Sequence, residues 1–287
     1  MADRDPQVVL AGWAVHVPGK AAAELPGSPQ EPACSPADAK LVLGRKGLLG
    51  KEPATRLALC AVHRALGLPA GQAPGPVDQA AGTAVVVASN LGNAGTVCAM
   101  VSDMREGGGA AVSVLDAPNA SSNIIASSIA IRYGFTGPNL AVCSGATAGL
   151  DAVQLGARLL RAGRARRAVV VGVEPADAVA RGLEALRPDG GALTEGAGCV
   201  LLGVPGAWPG PAAVAIGSVE RHGERPATAE PGVGSRYGAD GVIGLAVAAE
   251  RLVTGQAPGP LTVACGDRED DWAAVTARRL EPIGEAA

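Results

Sequence analysis

The sequence predicts an α/β protein, and three observations carry that prediction. Short apolar, β-branched runs alternate with longer segments of helical spacing, as expected of a sheet covered on both faces. Glycine and proline break the chain at most junctions, which keeps the strands short and bounds the helices. Hydrophobic residues make up 48% but aromatics only 2%, so the core must be built from Ala, Val, Leu and Ile. With 287 residues there is length for one large α/β domain or two smaller ones.

Along the chain, residues 8–17 read as a buried strand, and 18–38, rich in Pro, Ala and Gly, as a loop. Helical spacing over 55–66 stops near Gly67 and Pro69, and 70–82 is a second loop. The run 83–88 is a buried strand. Residues 94–105 are helical and end at Gly107-Gly108-Gly109. A helix over 121–133 is closed by Gly134. Then come a strand at 140–144, a long helix at 147–162, a strand at 168–173, a helix at 176–186 and a strand at 199–204. Three prolines, Pro205, Pro209 and Pro211, mark a boundary. Beyond it the pattern thins to a strand at 213–219, a helix at 242–253 and a strand at 261–265.

A net charge of −3 gives no reason to expect nucleic acid as a partner. The start, Met1-Ala2-Asp3-Arg4-Asp5, has no basic leader region, and the apolar run 8–17 is too short to cross a bilayer. The expectation is a soluble cytoplasmic protein with no membrane partner. Six cysteines are scattered with no C-x-x-C pair, and histidine occurs only at 16, 63 and 222. These cysteines read as buried thiols rather than as disulfides or a zinc site.

The segment Gly137-Pro138-Asn139-Leu140-Ala141-Val142-Cys143-Ser144-Gly145-Ala146-Thr147-Ala148-Gly149-Leu150-Asp151-Ala152-Val153 reads as a strand, a sharp turn and a helix start. That arrangement presents one side chain at a helix N-terminus, where the N–H groups and the dipole favour a thiolate. Other ordered pieces surround it. They are Tyr133-Gly134-Phe135-Thr136-Gly137-Pro138, Arg161-Ala162-Gly163, Val169-Val170-Val171-Gly172-Val173-Glu174 and Glu195-Gly196-Ala197-Gly198. On these pieces, in this order and spacing, residues 83–204 resemble the β-ketoacyl synthases of the thiolase superfamily. Val9-Leu10-Ala11-Gly12-Trp13 is compatible with that family's first strand. The resemblance implies a thiolase-like layered αβαβα fold with a truncated C-terminal half. Residues 1–204 would form the N-terminal ketosynthase-like half and 205–287 the shortened C-terminal one.

In the family a cysteine nucleophile sits where this chain has Ala146, whether the anchor is Pro138 and Gly149 or the thiolase pattern through Gly149 and Ala152. A methyl group cannot accept an acyl chain. Cys143, three residues earlier, reads as a buried packing thiol on the strand. One family histidine aligns with Ser235, ahead of Gly238-Ala239-Asp240-Gly241. Val219-Glu220-Arg221-His222-Gly223 echoes the other histidine. An alignment that makes it the strand and loop after the Glu195 motif is preferred, and leaves His222 a loop histidine. Cys265-Gly266-Asp267 is the nearest remnant of the family's C-terminal glycine loop.

The combined losses resemble the non-condensing branch of the family, the chain-length factors or ketosynthase β-subunits. That resemblance implies a heterodimer with an active ketosynthase subunit, an acyl carrier protein as the source of the acyl chain, and no catalytic residue, metal or cofactor. The branch usually carries glutamine at the nucleophile position; alanine offers no amide donor to an oxyanion. Ser121, Ser122 and Ile125 are then candidate tunnel-lining residues, though they also fit an ordinary amphipathic core helix. Leu140, Ala141, Val142, Cys143 and Ser144 are candidate dimer-interface residues. Two other readings stay open: a diverged acyltransferase or decarboxylase using Cys143 or His222, and a stand-alone scaffold or binding protein that kept the fold.

Overall fold

The computed structural model describes residues 7–27, 31–210, 213–232 and 234–280. In chain order the elements are β1 (Val9–His16), α1 (Lys40–Leu43), α2 (Pro53–Ala65), β2 (Thr83–Ala88), α3 (Ala94–Gly107), α4 (Ile124–Tyr133), β3 (Asn139–Val142) and α5 (Ala148–Arg161). They continue with β4 (Arg167–Glu174), α6 (Ala178–Glu184), β5 (Gly196–Gly203), β6 (Val214–Ile216), β7 (Glu220–His222), α7 (Asp240–Val253), β8 (Leu261–Asp267) and β9 (Asp271–Arg279).

The strands form one curled sheet with two leaves. The first leaf runs β3-β2-β4-β5-β1. Its β3, β2 and β4 are parallel, while β5 is antiparallel to both β4 and β1. The second leaf begins where β1 also pairs with β6, at Val9↔Ala215 and Leu10↔Val214. It continues from β6 to β9, and β9 also pairs with β7 and β8.

Burial explains why β2, β4 and β5 are near-continuous apolar runs. Both faces of the first leaf are covered, so alternation is unnecessary. Val85, Val87, Val169 and Val171 pack with Leu57 of α2 and Ile129 of α4 on one side. Val86, Val170 and Val200 pack with Leu150 of α5 and Leu245 of α7 on the other. That second cluster extends to Val263 and Val275, so α5 and α7 lie between the two leaves. In β8 and β9 alternate residues face this cluster, while Thr262 and Thr276 sit on the other face and bond to each other. The described layers are therefore helix, sheet, helix, sheet, a thiolase-like fold with a shortened C-terminal half. Helices α5 and α7 cross so closely that a Cβ on Gly149 would stand 2.9 Å from the Gly241 Cα, which requires glycine there. Among the described residues no helix is long and apolar enough to cross a membrane.

Four expectations are corrected. The helix expected from residue 121 starts at Ile124, so Ser121 and Ser122 lie in the turn before it. Strand β3 ends at Val142, which puts Cys143 and Ser144 beyond it. The single strand expected over 213–219 is shorter, and β7 follows separately, so His222 is a strand residue rather than a loop one. Strand β9 was not foreseen, because Asp271-Trp272-Ala273-Ala274-Val275-Thr276-Ala277 is alanine-rich and scores weakly as a strand.

Candidate functional site

The site assembles at the C-terminal ends of β2, β3 and β4, where open parallel sheets leave a crevice. β3 leads into a turn over Gly145–Thr147, and α5 follows. The turn needs Gly145, which takes φ +68°, a conformation that other residues adopt only with strain. Asn90, just after β2, clamps it from both sides. Its amide nitrogen donates to the Gly145 carbonyl at 2.9 Å, and its Oδ1 accepts the Gly145 N–H at 3.0 Å.

Asn90 is itself set by Glu174, the last residue of β4 and wholly buried. The Glu174 carboxylate accepts the N–H groups of Asn90 at 2.7 Å and Leu91 at 3.0 Å. Burial outweighs these bonds and pushes its carboxyl up to about 8. Glu174 thus anchors the loop after β2, and that loop anchors the turn at Ala146.

Ala146 is buried at the start of the helix, where a free N–H would be an oxyanion donor. That N–H is already engaged: it donates to Asp270 Oδ2 at 2.7 Å. Asp270 lies in the tight turn between β8 and β9, and a Cβ on Gly145 would overlap its carboxylate. Arg187 pins this turn. Its guanidinium pairs with Asp267 and lies 3.3 Å from carboxylate oxygens of both Glu269 and Asp270. It also stacks 3.9 Å over the Tyr237 ring. On the other side of the helix start, Asp151 accepts from Thr147 Oγ1 at 2.9 Å and from Ser144 Oγ at 2.5 Å, and pairs with Arg221. Two carboxylates therefore already compensate the dipole of this helix end, and one of them, Asp270, takes up an N–H group. At Ala146 the turn carries a methyl group, and the N–H beside it faces negative charge of the protein's own.

A family model described as the β-ketoacyl synthase N-terminal domain matches residues 50–199, just over half of the chain. The chain belongs to the β-ketoacyl synthase family. Among solved structures it is similar to the ishigamide ketosynthase/chain length factor, with a TM-score of 0.74 and 20% identity over 96% of this chain and 100% of that one. It is also similar to a chain from a type II polyketide synthase acyl-carrier protein in complex with its ketosynthase, bound to the hexaketide. That match has a TM-score of 0.69 and 13% identity, covering 97% of this chain and 100% of the other. An oxazolomycin ketosynthase domain of Streptomyces albus JA3453 follows, at a TM-score of 0.60 and 14% identity over 97% of this chain and 75% of that domain. No curated protein matches the sequence.

Within this ketosynthase-family chain the residues singled out from sequence scatter. Cys143 is exposed, not buried as expected, and its thiol donates to the Ser89 carbonyl at 3.1 Å. Partial burial, then the charge of Glu174, raises its pKa, the opposite of an activated nucleophile. His222 lies half-exposed on β7 with Glu220 as its charged neighbour at 3.9 Å, and no hydrogen bond between described residues joins it to Ala146 or Cys143. Ser235 turns to another loop: its carbonyl accepts from the N–H and the hydroxyl of Thr194, at 3.0 and 3.1 Å. Ser121 and Ser122 are exposed, whereas Ile125 packs in the outer core with α2. Leu140, Ala141 and Val142 are half-buried on β3, which ends the sheet with β2 as its one neighbour among the described residues. The sequence reading missed Asn90, Arg187 and Asp270. The signal was present in the acidic run Asp267-Arg268-Glu269-Asp270-Asp271, a hairpin turn had the strand after it been seen.

Proposed function

We propose that this chain is a non-condensing ketosynthase-like subunit, a chain-length factor that pairs with an active ketosynthase. Together they would shape the tunnel for an acyl chain delivered by an acyl carrier protein. The observation that carries the reading is the Asp270 carboxylate on the Ala146 N–H. A condensing site needs a nucleophile and a free donor at this position. This chain has a methyl group and a donor in use.

The surface supports a partner. Among the described residues, strand β3 leaves one edge unpaired, a template for pairing with another chain. Asn123 bridges it to the neighbouring segment by donating to Asn139 Oδ1 at 2.9 Å, and Asn93 at the start of α3 donates to the Asn119 and Ala120 carbonyls. Helix α3 buries only Met100 and exposes Val97, Val101 and Met104. An open edge strand and a helix with an uncovered apolar face each fit a subunit interface. The solved neighbours include a ketosynthase/chain length factor and a ketosynthase with its acyl-carrier protein, in keeping with this assembly.

Exposed Ser121 and Ser122, beside that surface, are the residues of this chain proposed to reach the shared tunnel. The test is co-expression with an active ketosynthase and its carrier protein, followed by product analysis. Co-purification is expected, with a shorter product for Ser121→Phe because overlap in a packed wall is costly. Condensation by the isolated chain, or failure to bind any ketosynthase, would overturn the reading.

A further inference from the structure

Away from the Ala146 turn, three metal-type donors converge. His16 ends β1, Cys34 lies in the loop that follows, and Cys60 is in the middle of α2. A ring nitrogen of His16 and the two sulfurs all lie within 4.8 Å of one another. His16 and Cys60 are fully buried, while Cys34 is partly open to solvent. His16 Nε2 is 2.9 Å from the Cys34 carbonyl oxygen and 3.9 Å from its Sγ. Nδ1 of the same ring is buried with no hydrogen-bond partner among the described residues. The carbonyl can only accept, so Nε2 carries the ring proton and Nδ1 keeps a buried lone pair, the tautomer of an imidazole that ligates a metal through one nitrogen and donates the other to a backbone carbonyl. Sequence spacing gave no hint of the cluster, since its members come from three separate elements.

We propose that His16, Cys34 and Cys60 form a three-donor site for a thiophilic divalent cation of the zinc(II) class, with its fourth position open on the Cys34 side. Two sulfurs and an imidazole are the donor set such a cation takes. Donors around a tetrahedral zinc stand roughly 3.5–3.8 Å apart, from its bond lengths. The 3.9 Å between His16 Nε2 and Cys34 Sγ stands just above this range, and the 4.8 Å limit leaves a contraction of about 1 Å for a side chain on a loop. Charge also balances: two thiolates neutralise a divalent cation. The bound cation would clip the loop after β1 to α2. The site is independent of the Ala146 reading and stands or falls separately.

The experiment titrates the reduced full-length chain with Zn²⁺ and Co²⁺, against a chelating dye. One equivalent of Zn²⁺ held after desalting is expected, together with a thiolate-to-cobalt charge-transfer band. Cys34→Ser, at the more exposed donor, should weaken binding about tenfold or more, and Cys98→Ser with Cys143→Ser should not. A higher melting temperature with Zn²⁺ in the parent and not in Cys34→Ser is the second readout. The proposal is overturned by no retained zinc in the folded, reduced chain, by equal affinity in Cys34→Ser, or by loss of binding only when Cys98 and Cys143 are replaced. A Cys34–Cys60 disulfide whose reduced form takes up no metal overturns it as well.

Discussion

If Asp270 silences the Ala146 turn, then restoring the thiol alone will not restore acyl transfer. An Ala146→Cys variant regains the nucleophile, but its backbone N–H still points at the Asp270 carboxylate, 2.7 Å away. Losing one oxyanion donor costs about 10²–10³ in rate, or roughly 2.7–4 kcal/mol. The carboxylate also repels the developing oxyanion, by about 4 kcal/mol at 4 Å and an effective dielectric of 20. Both penalties vanish in Ala146→Cys/Asp270→Ala. The double variant should therefore be acylated by a small-thiol acyl thioester at least about 10²-fold faster than the single one, read by intact mass. Asp270→Ala alone removes a charge-assisted hydrogen bond and should cost about 1.5–3 kcal/mol of stability in urea unfolding. Arg187 keeps its partner Asp267 and holds the turn in place. Equal acylation of the single and double cysteine variants would refute the reasoning, and so would an Asp270→Ala protein as stable as its parent.

Gly145→Ala should lose about 1–2 kcal/mol from its left-handed backbone and more from overlap with Asp270, so its cost in urea unfolding should shrink in an Asp270→Ala background. Glu174 makes stability depend on pH. Its carboxyl is held up to about 8 against an ordinary 4.5, so the folded protein keeps a proton that the unfolded chain releases. That contribution is whole below pH 4.5 and is lost as the pH rises to about 8. Glu174→Gln stays neutral and should flatten this decline in melting temperature; identical slopes for the two proteins would contradict it. Leu140→Arg on the free edge of β3, or Val101→Asp on α3, should weaken capture of the ketosynthase partner about tenfold or more while leaving the melting temperature of the isolated chain unchanged.

The site was half legible in the sequence. Residues 137–153 are contiguous, and a strand, a glycine turn and a helix start are local events decided by neighbouring backbone preferences. That is why the register placing Ala146 at the turn could be read directly, and why the turn has the geometry expected. Glu174 was legible as part of a motif, but its task of holding Asn90 was not, because the two meet only when β2 and β4 lie side by side. Ser121 shows the opposite error. A helical spacing was extended across residues that the chain uses as a turn before Ile124.

What the sequence determined by itself is the alternation of strands and helices, the family, and the placing of Ala146, with its methyl side chain, at the start of the helix after β3. Each depends on residues close together in the chain. Only the tertiary structure decided that Asp270 caps Ala146 from 124 positions away, and that His16, Cys34 and Cys60 share one buried corner. Those meetings follow from how the second leaf folds over α5 and from how the loop after β1 returns to α2. Closure of a sheet around its helices is a property of the whole packed chain, and no local propensity encodes it.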